Sequence, residues 1–113
     1  MNIRFDNAKL ERLCNTRKEL QQKHQRRADT ITQRLGELAA VENLEMMKQI
    51  PAARCHQLRV GNRKGQFAVN VDRMWRIVFA PDHDPKPLKP DGGIDLKQVT
   101  AINIIEIVDY HEE

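Results

Sequence analysis

The chain has 113 residues, 40% of them apolar and 4% aromatic, a length that supports one compact domain with a modest core and not two. No run approaches the roughly 18 consecutive apolar residues of a membrane span, and the N-terminus lacks the apolar centre of a secretory signal, so a soluble, cytoplasmic protein is expected. The net charge of +3 conceals an asymmetry: residues 1–40 carry nine Lys/Arg against five Asp/Glu, 54–76 carry six against one, and 77–113 carry three against eight. Solvated helix faces account for the first cluster and strand-edge cations for the second, but a basic surface of this kind also binds polyanions by counterion release.

In chain order, a short apolar start, Ile3 to Phe5, precedes Asp6 or Asn7 as a helix cap and a short helix through Leu10, Leu13 and Cys14. Thr16-Arg17-Lys18-Glu19 has the form of a capping box. Leu20, His24, Ala28, Ile31, Leu35 and Leu38 then recur every three or four residues, which predicts one long amphipathic helix over 17–40. Arg17, Lys18, Lys23, Arg26, Arg27 and Arg34 fall on its other faces. His24 lies on the apolar stripe and reads as a satisfied packing histidine, not a ligand. Asn43 to Gln49 reads as a further helical turn ended by Pro51, with Leu44 and Met47 as core contacts. Cys14 and Cys55 form no CxxC pair and are expected to be reduced, buried thiols.

After Pro51 the period falls from about 3.6 to 2. Residues 54–60, 66–71 and 75–80 read as strands, the first two joined through Gly61-Asn62-Arg63-Lys64-Gly65. Ala101 to Val108 is apolar on both faces, with Ile102 and Ile104 on one and Ile105 and Ile107 on the other, and so reads as a central strand. Between the last two strands, residues 81–100 hold four of the five prolines and Gly92-Gly93; a connection that long is functional or poorly ordered. Its Asp82-His83-Asp84 reads as an acidic turn, since no further ligand stands at a metal-binding spacing. The expected architecture is a single α+β domain over 1–113, with N-terminal helices (1–50) packed on a small antiparallel sheet (51–113).

Polar residues on that sheet suggest a site. His56, Arg59, Arg63, Lys64, Arg73 and Arg76, with Asp109, Tyr110 and His111 at the end of the last strand, are expected to converge on one concave basic surface. Such a set has the chemistry for RNA cleavage without a metal or cofactor. The 2′-hydroxyl must lose a proton, the phosphorane must be stabilised, and the leaving 5′-oxygen must gain a proton. Two imidazoles, with unperturbed pKa of about 6.5, can divide the proton transfers, each such contribution being about 10²- to 10⁴-fold. Arg76, supported by Arg59 and Arg63, suits the phosphate because a guanidinium is planar and bidentate. Asp109 can fix a histidine tautomer or act as a base, and Tyr110 can bond the phosphate or stack on a base. A solvated strand end with surface arginines is the plainer alternative.

The series Cys55-His56-Gln57-Leu58, Gly61-Asn62-Arg63-Lys64-Gly65-Gln66-Phe67, Met74-Trp75-Arg76-Ile77-Val78-Phe79 and Val108-Asp109-Tyr110-His111 resembles, in that order and over nearly the whole chain, the HigB branch of the RelE/ParE toxin superfamily. Similar sequences have sometimes been called killer suppression proteins. The resemblance implies a type II toxin that cleaves messenger RNA, usually on the ribosome, neutralised by a HigA-type helix-turn-helix antitoxin through which alone operator DNA is met. It implies catalytic or RNA-contacting roles for His56, Arg76, Asp109, Tyr110 and His111, with Arg59 in the place of a phosphate-binding lysine. The chain departs from the compact family pattern in its longer hairpin loop after Leu58, its long 81–100 segment and its extended helix. Two rivals keep the same fold: a ParE-like gyrase poison, which needs no paired histidines, and a non-catalytic RNA-binding regulatory module.

Overall fold

The computed structural model describes residues 1–59 and 61–109; Tyr110 and His111 of the expected site lie outside the described residues. The chain runs through β1 (Asn2–Phe5), α1 (Ala8–Asn15), α2 (Arg17–His24), α3 (Arg27–Ala40), 3-10 turns at Leu44–Gln49 and Pro51–Ala53, and β2 (His56–Gln57). It continues through a 3-10 turn at Gly61–Arg63, β3 (Phe67–Asn70), β4 (Trp75–Pro81), a 3-10 turn at Leu96–Gln98, and β5 (Ala101–Asp109). The α+β class is as expected, and β5 is internal to the sheet. The order is β1-β5-β4-β3-β2.

The sheet is mixed, not purely antiparallel. Asn2–Phe5 forms an edge strand parallel to Ala101–Ile104. Ile3 and Phe5 are half-buried against the core while Asn2 and Arg4 are exposed, the one-sided alternation of an edge strand. Four residues are too few for that alternation to declare itself before the Asn7 cap, whose side chain accepts from the Leu10 amide at 2.8 Å, starts α1.

The single helix expected over 17–40 is two helices. Gln25 adopts φ 53° and ψ −126°, and no Gly or Pro marks the break. The apolar period runs unbroken across it because both helices pack on the same core. The reorientation wraps Trp75: the His24 ring meets the indole edge-on at 5.1 Å, and the Arg27 guanidinium lies 4.3 Å from its centroid. Arg34, expected on a solvent face, is buried, with Nε donating to the Asn70 carbonyl at 2.8 Å and Nη1 to Glu37 at 3.2 Å. Its charge ties α3 to the end of β3.

Leu20, Ala28, Ile31 and Leu38 from the helices pack with Phe67, Val69, Ile77, Phe79, Ile102 and Ile104 from the sheet. Phe67 and Phe79 are cross-strand partners with stacked rings 6.0 Å apart. A second, smaller cluster of Leu58, Ala68 and Val78, joined by Val108, lies on the sheet's other face. The β4–β5 register shifts at Val78/Phe79, so that Val78 pairs with Glu106 and Phe79 with Ile104. Ile105 is the extra residue of this bulge, and beyond it the alternation inverts. Ile107, opposite Ile77, therefore packs against the same core as Ile102 and Ile104, and not on the opposite face where the sequence pattern put it.

The long 81–100 connection has structure of its own. Leu88 bridges Ile94 around a turn in which the Lys89 amide donates to the Gly93 carbonyl at 2.7 Å, and Val99 is buried in the main core. His83 Nε2 accepts from the Thr100 amide at 3.1 Å, and Asp82 is ion-paired with Arg4. Among the described residues no three His, Cys, Asp or Glu side chains are grouped to hold a metal ion.

Candidate functional site

Directly paired residues share a sheet face, so the register sorts the expected site residues. One cross-strand row runs His56, Ala68, Val78, Glu106, and the next runs Asn70, Arg76, Val108. All lie on the face turned away from the helices. His56 and Arg76 therefore share this outer face, offset by two strands and two residues, about 12 Å between backbones from ordinary strand spacings.

Arg63 also reaches this face, but it is ion-paired with Glu106. Glu106 stands in the same cross-strand row as Ala68 and Val78, and these two are fully buried together with Leu58. Lys64 is exposed in the turn beside Arg63. Arg59 lines a different cleft, with Lys48, Lys89, Asp91 and Asp95, so its expected convergence with Arg76 is not met: β2 stops at Gln57, not at residue 60, and the chain turns away. Asp109 is also displaced from the expected grouping. It pairs with Trp75, which packs against the helix-side core. The bulge at Ile105 is the cause, since unbroken alternation from Ile104 would have put Asp109 on the outer face.

The group that does form comprises Arg54, Asn70, Arg73 and Arg76, with His56 joined to it through the Arg54 carbonyl. Arg54, Arg73, Arg76 and Asn70 line one cleft of about 380 Å³ with Asp72. Arg54 has φ 44° and ψ 51°, a left-handed conformation that L-residues with a Cβ seldom adopt. Its carbonyl stands 2.7 Å from His56 Nδ1. A carbonyl only accepts, so Nδ1 carries the proton and the neutral ring keeps its lone pair on Nε2. The Arg54 carbonyl thus does for His56 what was expected of Asp109.

Arg76 is anchored at one end. Its Nη1 donates to the Asp72 carbonyl at 2.8 Å and the Trp75 carbonyl at 3.0 Å. Its Nε and the Oδ1 of its cross-strand partner Asn70 are buried without a partner among the described residues; neighbouring orphans of this kind call for an explanation. Asp72 closes the β3–β4 turn, its carboxylate accepting from the Met74 and Trp75 amides at 2.9 and 2.8 Å. Burial raises its pKa, but these two amides, with Arg27 and Arg76 nearby, outweigh that and hold it below the usual carboxylate value. One carboxylate thus faces Arg54, Arg73 and Arg76, and the cleft is net cationic.

Arg54 and Asn70 are the residues that sequence reading missed. A signal was present for Arg54 in the strand expected over 54–60, in which Arg54 and His56, as positions i and i+2, fall on one side. No protein-family model matches this chain, and no characterised protein shows significant similarity to it. The HigB resemblance accordingly rests on the ordered motifs themselves.

Proposed function

We propose that this protein is the toxin of a type II toxin–antitoxin pair and cleaves messenger RNA by attack of a ribose 2′-hydroxyl on the adjacent phosphodiester. The observation that supports it best is a histidine with a fixed tautomer, His56, on the same sheet face as the arginine cleft. In this reading His56 Nε2 takes the 2′-hydroxyl proton. The 2′-oxygen bonds to phosphorus, the bond to the 5′-oxygen breaks, and a 2′,3′-cyclic phosphate remains on the upstream fragment. The developing charge on the phosphate oxygens is met by Arg76, whose anchored guanidinium loses little freedom on binding. The 5′-oxygen takes its proton from a second acid, and His111, to which the resemblance gives a catalytic or RNA-contacting role, is the candidate that the sequence offers. A HigA-like antitoxin would neutralise the protein.

Induced expression tests this. Growth should stop, transcripts should acquire new 5′ ends inside coding regions, and His56→Ala, Arg76→Ala and His111→Ala should each lower cleavage by at least tenfold. Full toxicity in His56→Ala would overturn the catalytic assignment. A second reading, a non-catalytic RNA-binding module, is favoured by one observation: the cleft lined by Arg54, Arg73 and Arg76 is net cationic and can hold a polyanion without any chemistry. It predicts that His56→Ala keeps the biological effect while Arg76→Ala loses it, with transcripts intact in both.

A further inference from the structure

The cleft between the start of β2 and the β3–β4 turn is more than the arginine that the resemblance singles out. We infer that Arg54, Arg73 and Arg76 form a subsite for one backbone phosphate of single-stranded RNA, and that Arg54 sets the position of this phosphate relative to His56. The inference rests on the RNA-acting reading for the identity of the ligand and shares Arg76 with it, but it is tested at Arg54, to which that reading gives no part, so the two can fail separately.

Three observations carry it. Three guanidinium-bearing residues from separate segments meet around one cleft, and a single carboxylate, Asp72, stands among them with its oxygen committed to the Met74 and Trp75 amides. The guanidinium of Arg76 is held at the cleft by its Nη1 bonds to the Asp72 and Trp75 carbonyls, and a phosphate oxygen is the acceptor that a preorganised guanidinium fits best. Arg54 stands in a left-handed conformation that glycine would adopt freely. An arginine there disfavours the fold locally, which is intelligible if its side chain is needed at that spot. The same residue holds His56 Nδ1 through its carbonyl. Phosphate binding by the Arg54 side chain and tautomer fixing by its backbone are therefore one structural unit, which locks the bound strand in register with the imidazole.

The test uses Arg54→Gly in the full chain, because glycine suits the local backbone and the variant should fold at least as well. Binding is read by fluorescence anisotropy on a labelled 2′-O-methyl 12-nucleotide RNA, which cannot be cut by 2′ attack, over a range of salt. Arg54→Gly should weaken binding about tenfold and make the slope of log affinity against log salt shallower by about 0.7, the loss of one phosphate contact on a single strand. Its melting temperature should be unchanged or higher. Arg17→Ala, whose side chain is ion-paired with Asp29 on the helical layer, should change neither affinity nor slope. Wild-type affinity and slope in Arg54→Gly would overturn the subsite, even if His56-dependent cleavage were found. Conversely, Arg54-dependent binding by a protein that cuts no RNA would uphold the subsite and remove the catalytic reading.

Discussion

His24 shows what a single buried side chain contributes beyond filling space. It was legible as a packing residue because it falls on the apolar stripe of the helix, and it is buried against Trp75. What the sequence did not reveal is that neither ring nitrogen has a partner among the described residues. Burial first, then the charges of Arg27 and Lys23, hold its pKa below the ordinary imidazole value. The folded state therefore prefers the neutral ring. Its contribution to stability is complete above the unfolded pKa of about 6.5 and is lost as pH falls below it towards the lower folded value. The urea midpoint should drop between pH 7 and 5, and His24→Leu should remove most of that slope. A slope unaltered by His24→Leu would assign it to other groups. The thiols make a parallel case: burial pushes Cys14 up to about 11 and Cys55, despite Lys48, up to about 12. At pH 8 both should react with iodoacetamide at least tenfold more slowly in the folded protein than in urea, since the thiolate is the reactive form.

At the scale of elements, β3 and β4 were legible because Phe67, Val69, Trp75, Ile77 and Phe79 recur at every second position, with the polar Gln66, Asn70 and Arg76 among the residues that alternate with them. The bulge in β5 was not. Ile102, Ile104, Ile105 and Ile107 are all apolar, so the pattern is silent on where the alternation inverts, yet that single residue decides that Asp109 faces Trp75 and not His56. The candidate site suffered most from this, because a site on strand ends depends on parity in a way that a fold class does not. Arg34 was misplaced for a related reason: charge suggests solvent, whereas the nearby Asn70 carbonyl and Glu37 make burial tolerable. Removing the side chain leaves the Asn70 carbonyl without this donor and the Glu37 carboxylate with only the Gln33 amide at 3.2 Å. Arg34→Ala should cost about 2–3 kcal/mol, in the range for hydrogen bonds to charged groups. Arg34→Lys, which cannot serve both acceptors with the same planar geometry, should recover only part of the loss. Guanidinium chloride melts give both numbers, and a cost under about 0.5 kcal/mol for Arg34→Ala would show that water replaces the pair freely.

At the scale of the molecule, the first strand closes the sheet against the last. The Asn2 amide donates to the Thr100 carbonyl at 3.0 Å and the Asp6 amide to the Ile104 carbonyl at 2.9 Å, and Arg4 grips Asp82 with two hydrogen bonds of 3.0 Å. These contacts join positions at opposite ends of the sequence, so β1 can form only after the chain has closed nearly its full length. Loop-closure entropy is then spent before β1 gains any pairing. The exposed Arg4–Asp82 pair adds little by itself, and the stabilising part is the inward side of the strand, Ile3 and Phe5. Phe5→Ala should therefore lower stability by about 2 kcal/mol, below the range of about 3–5 for a fully buried phenylalanine, because Phe5 is only half-buried. Being formed late, this contact should act mainly on unfolding: the variant should unfold faster while its refolding rate changes less than twofold. Amide exchange gives an independent check. If β1 belongs to the cooperative unit, amides of Ala101–Ile104 that face it exchange only by global unfolding. Exchange there as fast as at a frayed end, with β4 still protected, would mean that the N-terminal strand opens alone and that the sheet's lasting framework is β5-β4-β3.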